Sequence, residues 1–156
     1  MAMKPLFKKN AVQARCDAFM RRVEVQTMTA ATIEGEIFVN NARNMGEYEN
    51  QTSNLRNSIG YGIVQNGQAK AVSSRWEDYG VTGGLVIDRG DQVAAHHIRS
   101  LASKYSGRHI ALIGVAGMDY AAAVESRGKD VITGSYQITK QRMKVQLEKI
   151  RARMNR

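Results

Sequence analysis

One cysteine and one proline stand in this chain of 156 residues, and aromatic residues make up only 6% of it. The lone Cys16 excludes an internal disulfide framework and any zinc site built from clustered cysteines. With no proline after Pro5, long uninterrupted helices are permitted, and turns must come from glycine, Asn, Ser and Asp. So few aromatics argue against binding of single-stranded nucleic acid by base stacking. The longest apolar stretch, Ile110–Met118, is about half of the roughly 20 residues a membrane-spanning helix needs, so no membrane span is expected. Met1–Lys9 is positively charged but has no apolar run behind it and does not read as a secretory signal, so folding in a cytosol is expected.

What is present is an ordinary globular composition, 43% hydrophobic and 24% charged. The length suits one domain, 1–156, with residues 1–9 read as a flexible basic arm. The net charge of +9 is unevenly spread. Residues 1–22 carry six bases and one acid, and residues 135–156 carry seven bases and one acid. Between them, residues 23–54 hold five acids and one base, and the rest is nearly balanced. Two basic ends and an acidic second segment suit either solvated faces or contact between unlike protein surfaces. Phosphate binding is the competing reading, but no zinc finger, RNA-recognition signature or aromatic platform accompanies the bases.

The hydrophobic periodicity predicts an α+β fold: a long N-terminal helix, a small and mainly antiparallel sheet with a β-hairpin, and a C-terminal helix. Positions 12, 16, 19, 23, 26, 30, 33 and 37 step by four and three, and all but Gln26 are apolar or small. This seam predicts a helix from about Asn10 to Met45 that either breaks at the hydroxyl-rich Thr27–Thr32 or projects onto a partner, with Gly46 as its stop. The seam also implies that Cys16 is buried. Asn66-Gly67 suits a type I′ turn between strands at Ser58–Gln65 and Gln68–Ser74. Trp76–Gly84 reads as a loop and Leu85–Asp88 as a short strand. A helix capped by Asp91 runs to Tyr105, and His109–Val115 reads as a buried strand. Met118–Ser126 suits a short helix or a strand, and Val131–Thr133 suits a strand. The last helix, Ser135–Met154, has a stripe of Tyr136, Met143, Leu147, Ile150 and Met154 with Lys140 as the polar intruder.

No enzyme signature emerges. His96 and His97 are adjacent, whereas paired metal ligands on a helix want spacings of three or four. Gly114-Val115-Ala116-Gly117 follows a strand but lacks both the dinucleotide fingerprint and the lysine of a phosphate loop. Arg89-Gly90-Asp91 is most simply a turn and a helix cap. No catalysis, no cofactor, no metal and no small-molecule substrate are expected.

Two stretches point to a family. Thr52-Ser53-Asn54-Leu55-Arg56-Asn57-Ser58-Ile59 precedes the hairpin. Met118-Asp119-Tyr120-Ala121-Ala122-Ala123-Val124-Glu125-Ser126-Arg127-Gly128 precedes the last helix. Together, and in this order, they resemble the small head–tail joining proteins of long-tailed bacteriophages, the tail-completion or minor tail components. Ser53 stands where that family commonly has glycine, and two residues rather than one separate Glu125 from Gly128. The resemblance covers roughly residues 10–155. It implies a structural virion protein of the phage neck, assembled in the host cytoplasm into a homo-oligomeric ring, a hexamer in the expected form. Its partners would be itself and neighbouring neck or tail-tube proteins, with packaged DNA passing through the lumen. Leu55 and Ile59 would anchor the hairpin, and Tyr120, Ala121 and Val124 would pack the sheet against a helix. Glu125 would form a subunit salt bridge or a helix cap, or face solvent beside Arg127. Arg142, Lys149, Arg151 and Arg153 would serve the subunit interface. The alternatives are a head-closure connector under the portal, or a basic nucleic-acid-binding module.

Overall fold

The computed structural model describes residues 9–49, 52–75, 77, 89–107 and 109–154. Five helices and three strands follow one another: α1 (Lys9–Met45), α2 (Asn54–Asn57), β1 (Ile59–Gln65), β2 (Gln68–Ser73), α3 (Gly90–Ala102), β3 (Ile110–Ala116), α4 (Ala121–Ser126) and α5 (Thr133–Met154). This is the α+β arrangement the periodicity predicts. Of the expected arm at residues 1–9, Lys9 begins α1 and residues 1–8 lie outside the described residues, as do the strand at Leu85–Asp88 and, Glu77 apart, the Trp76–Gly84 loop.

α1 is continuous for 37 residues, about 55 Å at 1.5 Å per residue. It does not break at Thr27–Thr32, because the hydroxyls turn inward. Thr27, Thr29 and Thr32 each donate to the carbonyl four residues back, at 2.8, 2.9 and 3.0 Å. The groups that could compete with the helix are thus spent within it. The helix ends before Gly46, where a Cβ would collide with the ring of Tyr48, folded back over the terminus.

The sheet is antiparallel throughout, in the order β2-β1-β3. Asn66 and Gly67 both have positive φ, 55° and 75°, as a type I′ turn requires. β1 is the central strand and its side chains alternate. Ile59, Tyr61 and Ile63 join the α1-side core with Ala31, Phe38, Val39 and Ala42. Val64 joins Ala94, Ile98 and Ala102 of α3 on the other face, with Ile113 and Val115 of β3. Ile59, Ile63, Val64 and Ile98 are wholly buried, each contributing about 1.5–3 kcal/mol by removal from water.

Three local expectations are corrected. Asp91 does not cap α3: Arg89 occupies the N-cap position, and its guanidinium grips the Asp91 carboxylate at 2.9 and 3.1 Å. That helix ends at Ala102, three residues short of Tyr105, in successive turns. Val131–Thr133 is not a strand but the entry to α5, because two carboxylates stand ready to receive that helix's first N–H groups.

Candidate assembly interface

The apolar seam read from positions 12 to 37 is buried only at Ala30, with Val23, Gln26 and Ile37 half-buried and the rest exposed. The buried residues are Ala30, Ala31, Glu34, Gly35, Phe38, Val39, Ala42 and Arg43, all in the C-terminal half. Residues 10–22 are exposed without exception. Val12, Phe19 and Met20 lie open there, Ile33 is 51% exposed further along, and Cys16 is exposed rather than buried. The end of the sheet reaches α1 at Glu24, which accepts from Gln65 Nε2 at 2.7 Å, and the exposed residues 10–22 before it span about 20 Å of helix.

α1 and α5 pack together through a polar clamp that the sequence reading missed. Glu34 is 0% exposed. Arg142 donates to it from Nε at 2.6 Å and from Nη2 at 3.3 Å, and Gln146 Nε2 adds a third bond at 3.3 Å. Arg142, expected at a subunit interface, has this partner within the chain and is 45% exposed. The same contact pairs a base of the C-terminal block with an acid of the second segment, so part of the block charge is matched internally. The small Ser135 and Thr139 are buried beside this clamp, with Ile150. Tyr136 and Leu147, expected on the packed stripe, are exposed instead. The only sequence signal for the clamp was an acid amid the apolar residues of α1. Its partner lies 108 positions away.

A buried cation was also missed. Arg43, 3% exposed, donates through Nη2 to the carbonyls of Ile59 at 3.0 Å and Arg75 at 3.2 Å. Its Nη1 lies 3.3 Å from the Glu77 carboxylate. Asn57 holds the backbone of Glu77 from both sides, at 2.7 and 2.9 Å. This cluster ties α1 to the start of β1 and the end of the hairpin.

The two motif stretches meet at one corner. Leu55 and Ile59 are buried in the same core as Ala121, and Val124 packs against it half-buried. Gly117 N–H donates to Ser58 O at 2.9 Å. Ser53 has φ 59°, the left-handed region where glycine is favoured. Tyr120 departs from the expected packing: the residue is 42% exposed, at the N-cap position of α4. Burial of part of its phenol raises the pKa, opposed by a hydrogen bond with Thr52 of the other motif. Tyr61, beneath the sheet, is pushed up to about 12, by burial first and then by donating to the Glu36 carboxylate at 3.0 Å.

Glu125 is a helix cap. α4 is closed by Gly128, whose φ of 81° turns the chain back. The Glu125 carboxylate then accepts from Ile132 N at 2.9 Å, Thr133 N at 3.1 Å and Thr133 Oγ1 at 3.0 Å. Asp130 accepts from Gly134 N at 3.0 Å. Burial alone would raise the Glu125 pKa, but these hydrogen bonds outweigh it and hold the carboxyl below its ordinary 4.5. A depressed folded-state pKa means stability that is present above the unfolded value and lost as pH falls through the folded one. We expect Glu125→Gln to cost about 1 kcal/mol at neutral pH, the usual worth of a cap, and less at pH 3, below the ordinary carboxyl value of 4.5. Thermal melts at the two pH values test this, and an equal loss at both would refute the charged cap.

Lys149, Arg151 and Arg153 are exposed on α5. A groove of about 380 Å³ runs between β3 and α5, lined by Ile110, Leu112, Gly114, Phe38, Met143 and Leu147. Among the described residues no three His, Cys, Asp or Glu side chains converge as a metal site would require, and no helix is long and apolar enough to cross a membrane. No protein-family model, curated protein or solved structure matches the chain.

Proposed function

We propose that this chain is a structural protein of the phage neck, a tail-completion or tail-terminator component that works as a homo-oligomeric ring without catalysis. The observation that carries this reading is the projecting third of α1. Residues 10–22 are all exposed, with Val12, Phe19 and Met20 among them, and such apolar side chains on an extended helix are what a neighbouring subunit covers. Two further observations support the resemblance. Ser53, at the position where the family commonly has glycine, adopts the backbone conformation glycine favours. The two motif stretches, about 60 residues apart in the chain, pack into one core through Leu55, Ile59 and Ala121.

The test is purification of the chain with its neck neighbours, followed by mass measurement and particle imaging. A ring in the neck is the expected result. The Phe19→Asp, Met20→Asp variant is expected to melt at the parent temperature yet fail to enter necks, because neither side chain belongs to the core. Absence of the protein from purified virions would sink the proposal. Location of the ring directly under the portal would make it a head-closure connector instead. The exposed bases of α5 favour one further reading, a duplex-binding module. Affinity for duplex DNA that survives moderate salt with a steep salt slope would support that reading.

A further inference from the structure

We propose that the groove between β3 and α5 receives an extended, acidic segment of a partner protein, which adds as a fourth strand on the free edge of β3. The sheet order β2-β1-β3 leaves one side of β3 without a strand beside it among the described residues. Seven residues, Ile110–Ala116, thus present an edge of backbone donors and acceptors. Such an edge is a template for pairing with another chain.

The side chains beside that edge are arranged to receive one. Ile113 and Val115 point to the α3 side of the sheet. Ile110, Leu112 and Gly114 alternate with them and line the groove, with Phe38 as floor and Tyr136, Met143 and Leu147 as the far wall. Side chains alternate along a strand, so an added strand would send every second residue into this space. A Cβ on Gly114 would meet the Phe38 ring, so the glycine lets that ring lie directly against β3 as the floor of the groove. A groove between an edge strand and a helix is a recurring way of holding an extended peptide, with affinity from the main chain and selectivity from the pockets. The edge from Ile110 to Ala116 is about 20 Å long at 3.3 Å per residue, which matches a segment of about seven residues.

Charge selects the occupant. Lys140 and Lys144, one turn apart on α5, stand on the rim, and no acidic residue lines the groove. Neither lysine has a salt bridge among the described residues. Lys140 lies 5.8 Å from the centre of the Tyr136 ring, so it is held beside the apolar wall. An incoming strand with acids between its apolar residues satisfies both features. A basic strand is repelled, and that disfavours the chain's own N-terminus with Lys4, Lys8 and Lys9. The groove is formed within one chain, so the inference does not rest on the ring.

The experiment uses the full chain and two labelled seven-residue peptides, one alternating valine or leucine with glutamate, the other with lysine in place of glutamate. The glutamate peptide is expected to bind at least ten-fold more tightly by fluorescence anisotropy. Amide exchange should slow in Ile110–Ala116 on binding and stay unchanged in β2. Lys140→Glu with Lys144→Glu should reverse the preference without moving the melting temperature. The proposal is overturned if the glutamate peptide does not bind, if both peptides bind alike, if β3 gains no protection, or if the double variant keeps the preference. Self-association that the double variant abolishes would assign the groove to a second copy and overturn the proposal as well.

Discussion

Arg142→Ala is expected to be among the most destabilising single substitutions in this chain. Glu34 is wholly enclosed, and three of its hydrogen bonds come from α5, two from Arg142 and one from Gln146. Removing the guanidinium leaves a buried carboxylate with one long bond from an amide. Breaking a buried ion pair from one side typically costs about 3–5 kcal/mol. Arg142 itself is 45% exposed, so water reaches the gap and places the cost nearer about 3. For a domain of this length that corresponds to a fall of roughly 6–12 °C in melting temperature. The paired replacement Glu34→Leu with Arg142→Met should recover most of the loss, since an apolar pair of similar volume needs no desolvated charge. Circular-dichroism melts of the three variants decide it. A single Arg142→Ala variant melting within about 2 °C of the parent would show that Glu34 is not held as described.

Gly62→Val should be comparably severe, for a steric reason. α3 approaches β1 across two glycines, Gly60 and Gly62. A Cβ at Gly62 would fall within the space of the Ile98 side chain, which is wholly buried and central to the α3-side core. At Gly60 a Cβ would lie 2.8 Å from the Ser73 carbonyl oxygen and 3.4 Å from the Ala94 Cβ. The helix cannot back away without uncovering Ala94 and Ile98, so the loss should reach or exceed the roughly 1–3 kcal/mol typical of overpacked cores. Ile98→Ala alone should cost about 2–5 kcal/mol by leaving a cavity. Gly62→Val with Ile98→Ala should cost less than the two single losses together, because each change relieves the other. Urea denaturation measures all three. Strict additivity would mean that the two residues do not share the space.

The two results divide the molecule usefully. Arg142→Ala loosens α5 from α1, whereas Gly62→Val loosens α3 from the opposite face of the same sheet. In amide exchange the first should lower protection in α5 and the second in α3. Neither change touches residues 10–22 of α1, so the assembly behaviour of that projecting segment can be read separately from the stability of the body.

Much of the fold was legible because it is locally encoded. Asn66-Gly67 sets its own turn, since both residues accept positive φ that most others resist. The absence of proline after Pro5 and the heptad-like spacing of apolar residues announce a long α1. Gly128 ends α4 by its own backbone conformation, and the spacing from Glu125 to Gly128 lets the carboxylate swing to the start of α5. The packing residues Leu55, Ile59, Ala121 and Val124 stand out as apolar positions within short patterned stretches.

Other features depended on which surfaces meet, and no local pattern carries that. α1 has apolar residues on two sides, and periodicity selects the longer stripe from Val12 to Ile37. The sheet covers instead the side bearing Ala31, Phe38 and Ala42, because only there do Gly35 and small side chains allow Tyr61 and the β1 strand to come close. For the same reason Cys16 lies open and Tyr136 and Leu147 flank a groove rather than fill a core. Glu34 and Arg142 illustrate the limit most sharply. Each reads alone as an ordinary charge on a helix face, and their pairing, 108 residues apart, exists only once α5 lies along α1. Backbone preference acts over a few neighbouring residues and can be read in order along the chain. Burial and charge pairing are settled between segments far apart in sequence, and the tertiary structure alone assigns them.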